Sequence, residues 1–195
     1  MKINSKKIVI IAVASVLVIA SLLLLLLLLR PKVDFTEKRD DIFYFPVDYS
    51  EDIFEDLVYL NRSRVVRFDR YGTAVYMTEE NYGMQSVEAK FFYDYIQTVI
   101  NGECEKHREF FDKSFFSGHS IPKKFTKQKL YDIEIYSLTS DIKDGVAYET
   151  YKVCYKIQEN NGTFRADVSS GESKPVAITI KKGKEFKITS IIPIL

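Results

Sequence analysis

Val87 to Phe116 reads VEAKFFYDYIQTVINGECEKHREFFDKSFF, and its apolar pattern predicts two consecutive helices. In the first half, apolar side chains recur at the i, i+4 and i+8 spacing of one wide helical face. These side chains are Phe91, Tyr95 and Val99 and, one position further on, Phe92, Ile96 and Ile100. Asn101-Gly102 predicts the helix end, because glycine adopts the left-handed conformation that closes a helix at little steric cost. We expect the second helix to begin at Glu103.

Four strand patterns follow the two helices. Leu130 to Leu138 and Val146 to Gln158 alternate apolar and polar residues, with the turn signal Asp144-Gly145 between them. Val176 to Lys181 and the segment that begins at Phe186 continue the alternation. Consecutive hairpins of this kind predict an antiparallel meander with one buried face. The predicted fold class is therefore α+β, with helices packed on a curved antiparallel sheet.

The sequence before the helices predicts smaller elements. Ser50 to Leu60 has an N-cap serine, early acidic residues and several apolar residues, a combination typical of a short helix. Arg64 to Met77 predicts a β-hairpin around Asp69-Arg70-Tyr71-Gly72. The predicted organisation is a cytoplasmic tail at 1–7, a transmembrane helix at 8–29, a tether at 30–49, a helix-and-hairpin extension at 50–86 and the α+β domain at 87–195.

Ile8 to Leu29 has the composition of a membrane anchor. Its 22 residues carry no charge and end in eight consecutive leucines. A helix of this length spans about 33 Å, against a hydrocarbon core of about 30 Å. The alternative is a cleaved signal peptide, whose apolar part is about 7–15 residues long and precedes a small-residue cleavage site. No such site follows the leucines, so we predict an uncleaved anchor in the lipid bilayer.

The charge distribution favours an exported domain. Lys2, Lys6 and Lys7 precede the apolar run, and a very short basic N-terminus usually stays in the cytoplasm. Basic residues also follow the run, so the positive-inside rule alone does not decide the orientation. The predicted location is the cell membrane, with a single pass and an extracytoplasmic C-terminal domain. The rest of the chain carries 25 basic and 27 acidic residues and lacks the basic footprint that nucleic-acid binding requires.

The cysteines and histidines do not form a recognisable metal motif. Cys104, Cys154, His107 and His119 show no CxxC, HxxxH or HExxH spacing, so we predict neither a metal nor a cofactor. A Cys104–Cys154 disulfide would close a loop of about 50 residues and contribute about 4 kcal/mol. However, Cys154 alternates with lysines rather than with the apolar residues of its strand. That alternation favours two sulfurs on opposite sides of the sheet, and the sequence leaves their pairing open.

The predicted order is a helix, an Asn-Gly-Glu break, a second helix that ends in Phe-Phe, and a meander that closes on Gly-Lys-Glu-Phe-Lys-Ile. This order resembles the nuclear-transport-factor-2-like superfamily of cone-shaped α+β domains. IQTVINGECEKHREFF matches its first two helices, and KKGKEFKITSI matches its last hairpin. The superfamily includes isomerases, dehydratases, small-ligand carriers and membrane-anchored components of bacterial conjugation and secretion machines, so fold alone does not decide function. With its anchor, the chain looks most like the membrane-anchored bacterial cell-envelope type.

This resemblance implies a non-enzymatic extracytoplasmic domain for binding or assembly. Its expected partners are the lipid bilayer and either a membrane protein or a second copy of the chain. The candidate contacts with a ligand or partner are Tyr151, Tyr155, Arg165 and Asp167. The tyrosines are expected to line the domain interior, and the other two lie in the polar loop Glu159 to Lys174, where recognition residues often occur. A solvated hairpin connection is the plain alternative for that loop.

Two other functions stay open at this stage, namely a small-ligand carrier or isomerase using the interior pocket, and an accessory subunit of a conjugation or secretion complex. Isomerase chemistry needs a carboxylate or histidine in a dry cavity opposite an oxyanion donor. Asp94 and Asp132 are the right residue types, but the patterns turn both away from the apolar faces of their elements. Ser117-Gly118-His119-Ser120 has no GxSxG elbow. We therefore predict that the domain is not an enzyme.

Overall fold

A computed structural model describes residues 16–22 and 37–194 of the chain. Residues 16–22 are helical, whereas the rest of the predicted membrane segment Ile8 to Leu29 lies outside the described residues. Within the described ranges, no helix is long and apolar enough to cross a membrane. The fold below concerns residues 37–194.

Residues 37–194 have the predicted α+β class and are built around one six-stranded sheet. Its strands are β1 (Val66–Arg70), β2 (Thr73–Met77), β3 (Lys129–Lys143), β4 (Val146–Gln158), β5 (Val176–Lys182) and β6 (Phe186–Pro193). Their order across the sheet is β2-β1-β3-β4-β5-β6. The predicted hairpin therefore forms one edge of the main sheet.

The antiparallel meander is confirmed for β3 to β6. The prediction of an entirely antiparallel sheet is wrong, because β1 pairs with β3 in parallel. The antiparallel strand β2 already returns the chain to the end of the sheet where β1 began. The connection from β2 to β3, which contains both main helices, starts and finishes at that end, so β3 runs parallel to β1. Alternation within a strand shows which face is buried but not the direction of the neighbouring strand. The sequence pattern therefore could not predict that the sheet is mixed.

The two predicted helices are confirmed. The helices of residues 37–194 are α1 (Leu57–Leu60), α2 (Val87–Ile100) and α3 (Cys104–Glu109), and short 3-10 turns lie at Tyr82–Met84 and Lys113–Ser117. Ser86 caps α2 by accepting a hydrogen bond from the Ala89 amide at its side-chain oxygen. Asn101 and Gly102 separate α2 from α3 as expected.

The helix predicted from Ser50 is shorter than expected. Only α1 is helical, because the Asp56 carboxylate accepts from the amides of residues 58 and 59 and starts the helix there. Two of the preceding acidic residues form ion pairs instead, Glu51 with Lys129 and Asp52 with Lys127. Lys129, at the start of β3, lies 2.7 Å from Glu51, 2.9 Å from Asp56 and 2.6 Å from Glu159. Tertiary charge pairing thus replaces the first predicted turns.

The apolar face of α2 packs on the inward side chains of the sheet. Ile96 and Val99 lie in one buried core with Ile133, Val153 and Ile178, while Phe91 is only partly buried at its margin. Full burial of one such aliphatic or aromatic side chain contributes about 1.5–3 kcal/mol. The helix-on-sheet core is therefore the main source of stability.

Residues 37–49, predicted as a tether, lie in part against the domain. The Phe45 amide donates to the Asn160 carbonyl at 3.2 Å, and Ile42 is buried. The Tyr44 hydroxyl donates to the Ala166 carbonyl, and its ring covers Gly162 so closely that a Cβ there would lie 2.7 Å from it. This segment is docked rather than free.

Both edges of the sheet are partly covered. On β2, the Asn81 side chain donates to the Tyr76 carbonyl at 2.7 Å and accepts from the Thr78 amide at 3.0 Å. On β6, Ile188 exchanges hydrogen bonds of 2.7 and 2.8 Å with the backbone of residues 110–112. Covered backbone groups limit pairing with a strand from another molecule.

Gly102 offers a test of the α2–α3 junction. Its φ is +67°, and an added Cβ would lie 2.9 Å from the Lys127 backbone nitrogen. Gly102→Ala should therefore lower the free energy of unfolding by about 3 kcal/mol, from backbone strain and the forced contact together. Gly72→Ala is the matched control, because its φ is +84° but nothing lies within 4 Å. Chemical denaturation should give a loss of only about 1 kcal/mol there, and equal losses would contradict the packing described.

Candidate functional site

The loop 159–174 is folded into the domain rather than solvated. Phe164, Arg165, Ala166 and Val168 are buried, and Asn160 is fully buried. The Asn160 side-chain amide donates to the carbonyls of Arg165 at 2.8 Å and Val168 at 2.6 Å. An asparagine that satisfies two loop carbonyls allows buried backbone without orphaned polar groups. The plain alternative, a solvated hairpin connection, is therefore wrong for this part of the loop.

Three of the four predicted contact residues meet in one cluster at the base of this loop. Arg165 donates to Asp167 through Nε at 2.6 Å and Nη2 at 2.9 Å, and through Nη1 to the Tyr155 hydroxyl at 3.0 Å. Only 3% of Arg165 is exposed. Burial alone would raise the pKa of Asp167, but Arg165 and Lys174 hold that pKa below its ordinary value. The cluster is an internal ion pair, and its use as a partner contact stays a prediction.

A small cavity adjoins this cluster. Its volume is about 20 Å³, and Tyr95, His107, Tyr155 and Arg165 are the polar residues that line it. The remaining wall is apolar, from residues such as Phe164. One water needs about 10–15 Å³, so the cavity has room for a single water molecule. A ligand of metabolite size needs about 300 Å³ or more.

Two of the cavity residues, His107 and Tyr95, are not among the predicted contacts with a ligand or partner. The Thr98 hydroxyl donates to the Tyr95 carbonyl at 2.7 Å and lies 3.1 Å from His107 Nδ1. Because that hydroxyl proton is used, Nδ1 is the donor of the second bond, and Nε2 carries the lone pair. Burial lowers the pKa of His107 to about 3. The imidazole is therefore neutral at pH 7 and serves as a polar member of the core.

Tyr151, the fourth predicted contact, lies apart in a charged cluster that the sequence analysis missed. Its hydroxyl donates to Glu149, and Arg70 and Lys182 lie 2.9 and 3.0 Å from the same carboxylate. Glu88, at the start of α2, lies 3.2 Å from Arg70 and 2.5 Å from Lys182. Burial would raise the pKa of Glu88, yet these cations hold it below its ordinary value. The charges of the two acidic and two basic side chains balance. Their ion pairs hold α2 against β1, β4 and β5.

The cysteines are both free. Cys104 accepts from the Phe125 amide at 3.2 Å on the helix side, whereas Cys154 lines a groove with Asp132 and Lys156 on the other face of the sheet.

Asp94 accepts from the Tyr82 hydroxyl at 2.7 Å and is not among the cavity-lining residues. Within the described ranges, no group of three His, Cys, Asp or Glu residues could hold a metal ion.

Larger spaces lie at the surface. The outer-face groove, named for its position on the helix-free face of the sheet, has a volume of about 500 Å³ and is lined by Arg67, Asp132, Glu134 and Lys156 among others. Its charges pair locally, with Lys156 3.0 Å from Asp132 and Arg67 2.8 Å from Asp69. A second groove of about 470 Å³ runs beside α2.

The described residues thus define an α+β domain with a mixed six-stranded sheet, a nearly filled interior and surface grooves of about 500, 470 and 400 Å³. Comparison of the chain with protein-family models, curated proteins and solved structures gives no match.

The buried imidazole predicts acid sensitivity. The unfolded chain takes up a proton at His107 near pH 6.5, but the folded chain does so only near pH 3, so stability is lost as pH falls below 6.5. Between pH 6.5 and 5 the loss should be about 2 kcal/mol. His107→Asn, which retains a donor near Thr98, should remove this slope in denaturation curves. Phe125→Leu, a change beside the same ring, should lower stability equally at both pH values; an unchanged slope in His107→Asn would refute the assignment.

The Arg165–Asp167 pair has a matched counterpart in Arg39–Asp41, which has the same spacing but is exposed. Asp167→Asn should lower the free energy of unfolding by about 2–3 kcal/mol, because it removes the negative charge that accepts two hydrogen bonds from the buried Arg165 guanidinium. Asp41→Asn should leave stability nearly unchanged, since solvent screens that pair. Chemical denaturation of both variants measures the difference, and similar losses would show that burial does not govern the pair.

Proposed function

We propose that the chain is a single-pass membrane protein whose folded domain is an extracytoplasmic module for non-enzymatic binding or assembly. The uncharged run Ile8 to Leu29 and the lysines before it support the anchor and its orientation. The proposal includes the resemblance to nuclear-transport-factor-2-like domains, which the helix pair followed by an antiparallel meander supports.

One observation favours surface binding over interior chemistry. The polar side chains of the interior bond mainly to one another around a cavity of about 20 Å³, whereas three surface grooves have volumes of about 500, 470 and 400 Å³. Binding sites are usually concave spaces of about 300–1,000 Å³. The surface grooves have this size, and the interior cavity does not.

Topology can be tested with cysteine labelling in intact cells. In a Cys104→Ser, Cys154→Ser background, Lys184→Cys places a thiol in the exposed turn between β5 and β6. A membrane-impermeant maleimide should label it without permeabilisation. Ser5→Cys, before the apolar run, is the control and should react only after permeabilisation. The reverse pattern would overturn the orientation, and release of the full-length protein by alkaline extraction of membranes would overturn the anchor.

A small-ligand carrier or isomerase is the second candidate. The neutral His107 imidazole and the Tyr95 and Tyr155 hydroxyls suit such chemistry, but their cavity of about 20 Å³ would have to expand to about 300 Å³ or more to admit a ligand. Native mass spectrometry of the protein purified from its own cells should then reveal an added small-molecule mass that His107→Phe abolishes.

An accessory role in a conjugation or secretion complex is a special case of the first proposal. Its test is recovery of a membrane-protein partner by crosslinking in cells.

A further inference from the structure

Exposed apolar side chains are concentrated in residues 43–60. Of the fourteen large apolar side chains that are exposed in residues 37–194, seven lie in this short segment and seven are spread over the rest. The seven of the segment are Phe43, Val47, Tyr49, Phe54, Leu57, Val58 and Leu60, here called the 43–60 surface. Single exposed apolar residues are normal on a protein, whereas a concentration of them marks a surface that contacts something.

The segment that carries the 43–60 surface crosses one end of the sheet, the end at which β3 begins and β4 finishes. Lys129, the first residue of β3, lies 2.7 Å from Glu51 and 2.9 Å from Asp56. The Phe45 amide donates at 3.2 Å to the carbonyl of Asn160, which comes just after β4. The 43–60 surface therefore belongs to this end of the sheet.

The opposite end of the sheet has polar turns. Asp144 and Gly145 connect β3 to β4, and residues 183–185 connect β5 to β6. Ala147 pairs with Lys182, so both turns lie at the same end. A label in either turn is therefore remote from the 43–60 surface.

The chain enters the domain at the end that carries the 43–60 surface. The Arg39 amide donates at 3.5 Å to the carbonyl of Ala166, in the loop that follows β4. Nine residues, 30–38, separate Arg39 from Leu29, the last residue of the uncharged run. An extended chain covers at most about 3.6 Å per residue, so the path from Leu29 to Arg39 is no longer than about 36 Å. A bilayer that holds the run lies within that distance of Arg39.

The charges around the 43–60 surface are close to balance. Lys127 and Lys129 pair with three acidic residues of the segment at 2.7–3.3 Å. Among the described residues of this end, the exposed side chains outside these ion pairs include two of each sign, namely Asp48, Glu55, Lys123 and Lys124. Such a surface has no strong field of either sign, so the burial of apolar area would drive its contacts.

The composition of this end suits a lipid headgroup region. Lys124 lies 4.1 Å from the centre of the Tyr49 ring, with both side chains exposed. Tyrosine rings are enriched at the level of the headgroups, and lysines place their apolar stems in that region while the charged group stays in water. The short connection also keeps any bilayer that holds the run at a high effective concentration beside this surface. These two features favour lipid over a second copy or another protein as the occupant.

We propose that the 43–60 surface contacts the surface of the lipid bilayer, with Phe43, Leu57 and Val58 among its headgroups and the turns 144–145 and 183–185 directed away. This inference rests on the proposed function, because it requires the anchor, and it specifies which end of the domain faces the membrane. Because the local charges nearly balance, the contact forms with zwitterionic lipids and needs no anionic headgroup. The outer face of the sheet stays free for a partner.

Quenching from the lipid side tests the contact. The full-length protein, with Cys104→Ser and Cys154→Ser, carries an environment-sensitive fluorophore at Leu57→Cys or, as the control, at Lys184→Cys. Each is placed at one copy per phosphatidylcholine nanodisc, with and without nitroxide-labelled headgroups. Emission from the Leu57 site should be blue-shifted and quenched at least twofold by the nitroxide, whereas emission from the Lys184 site should not change. Equal quenching at the two sites, or none at either, would overturn the proposal.

A matched pair of variants identifies the residues that make the contact. With the fluorophore at Val47→Cys, Leu57→Glu with Val58→Glu should reduce quenching to the level of the Lys184 site. Leu138→Glu with Ile142→Glu, the same change at exposed apolar residues on β3, should leave the quenching as it was. Quenching that resists the first pair of changes would contradict the assignment to this surface.

The same discs separate this inference from the proposed function. Loss of the protein from the discs would overturn the anchor and with it the proposed function. Protein that stays in the discs without quenching at the Leu57 or Val47 site would overturn only the lipid contact. A blue shift at the Leu57 site that appears only in discs with two copies would also overturn it, because the occupant would then be a second copy of the chain.

Discussion

The packing of the apolar face of α2 against the sheet is the interaction on which the rest of this domain depends. It buries Ile96 and Val99 with the inward residues of three strands. Both ends of the helix are then held by polar contacts, with Glu88 ion-paired to Arg70 and Lys182 at its start and the Ile100 carbonyl accepting from Gln128 at its end. Hydrophobic burial supplies the free energy, and these directional contacts set the position of the helix on the sheet.

Because α2 lies so close to the sheet, the interior is nearly filled. Groups that could act as acids, bases or oxyanion donors in a larger cavity are instead bound to neighbours, as Arg165 is to Asp167 and Tyr155. Buried polar groups of this kind favour one core arrangement when every member is satisfied. The same helix presents Tyr93 and Gln97 to the surface groove of about 470 Å³ beside it. One element therefore both fills the core and lines a groove at the surface.

Periodicity in the sequence predicted the elements well and the polar interior poorly. The i, i+4 pattern of α2 and the alternation of β4 identified the buried apolar residues. The same alternation, continued outward, places Glu149 in phase with Tyr151 and Lys182 in phase with Ile180, so both could have been recognised as inward-facing charges. No comparable signal exists for Arg165, because a loop has no period that relates sequence position to burial. Asp167, which pairs with Arg165, is two residues away in the sequence, and the exposed pair Arg39–Asp41 has the same spacing. Spacing alone therefore does not distinguish a buried pair from an exposed one.

By itself, the sequence determined the α+β class, the α2–α3 junction at Gly102 and the C-terminal meander, because each depends on contacts within a few residues or on a repeating pattern. Only the tertiary structure decided that β1 runs parallel to β3, that the loop 159–174 is buried and that Tyr151 and Tyr155 belong to different clusters. Those outcomes depend on which distant segments meet. Long-range packing sets the direction of a strand, the burial of an irregular segment and the pairing of charges. Local sequence patterns do not encode that packing.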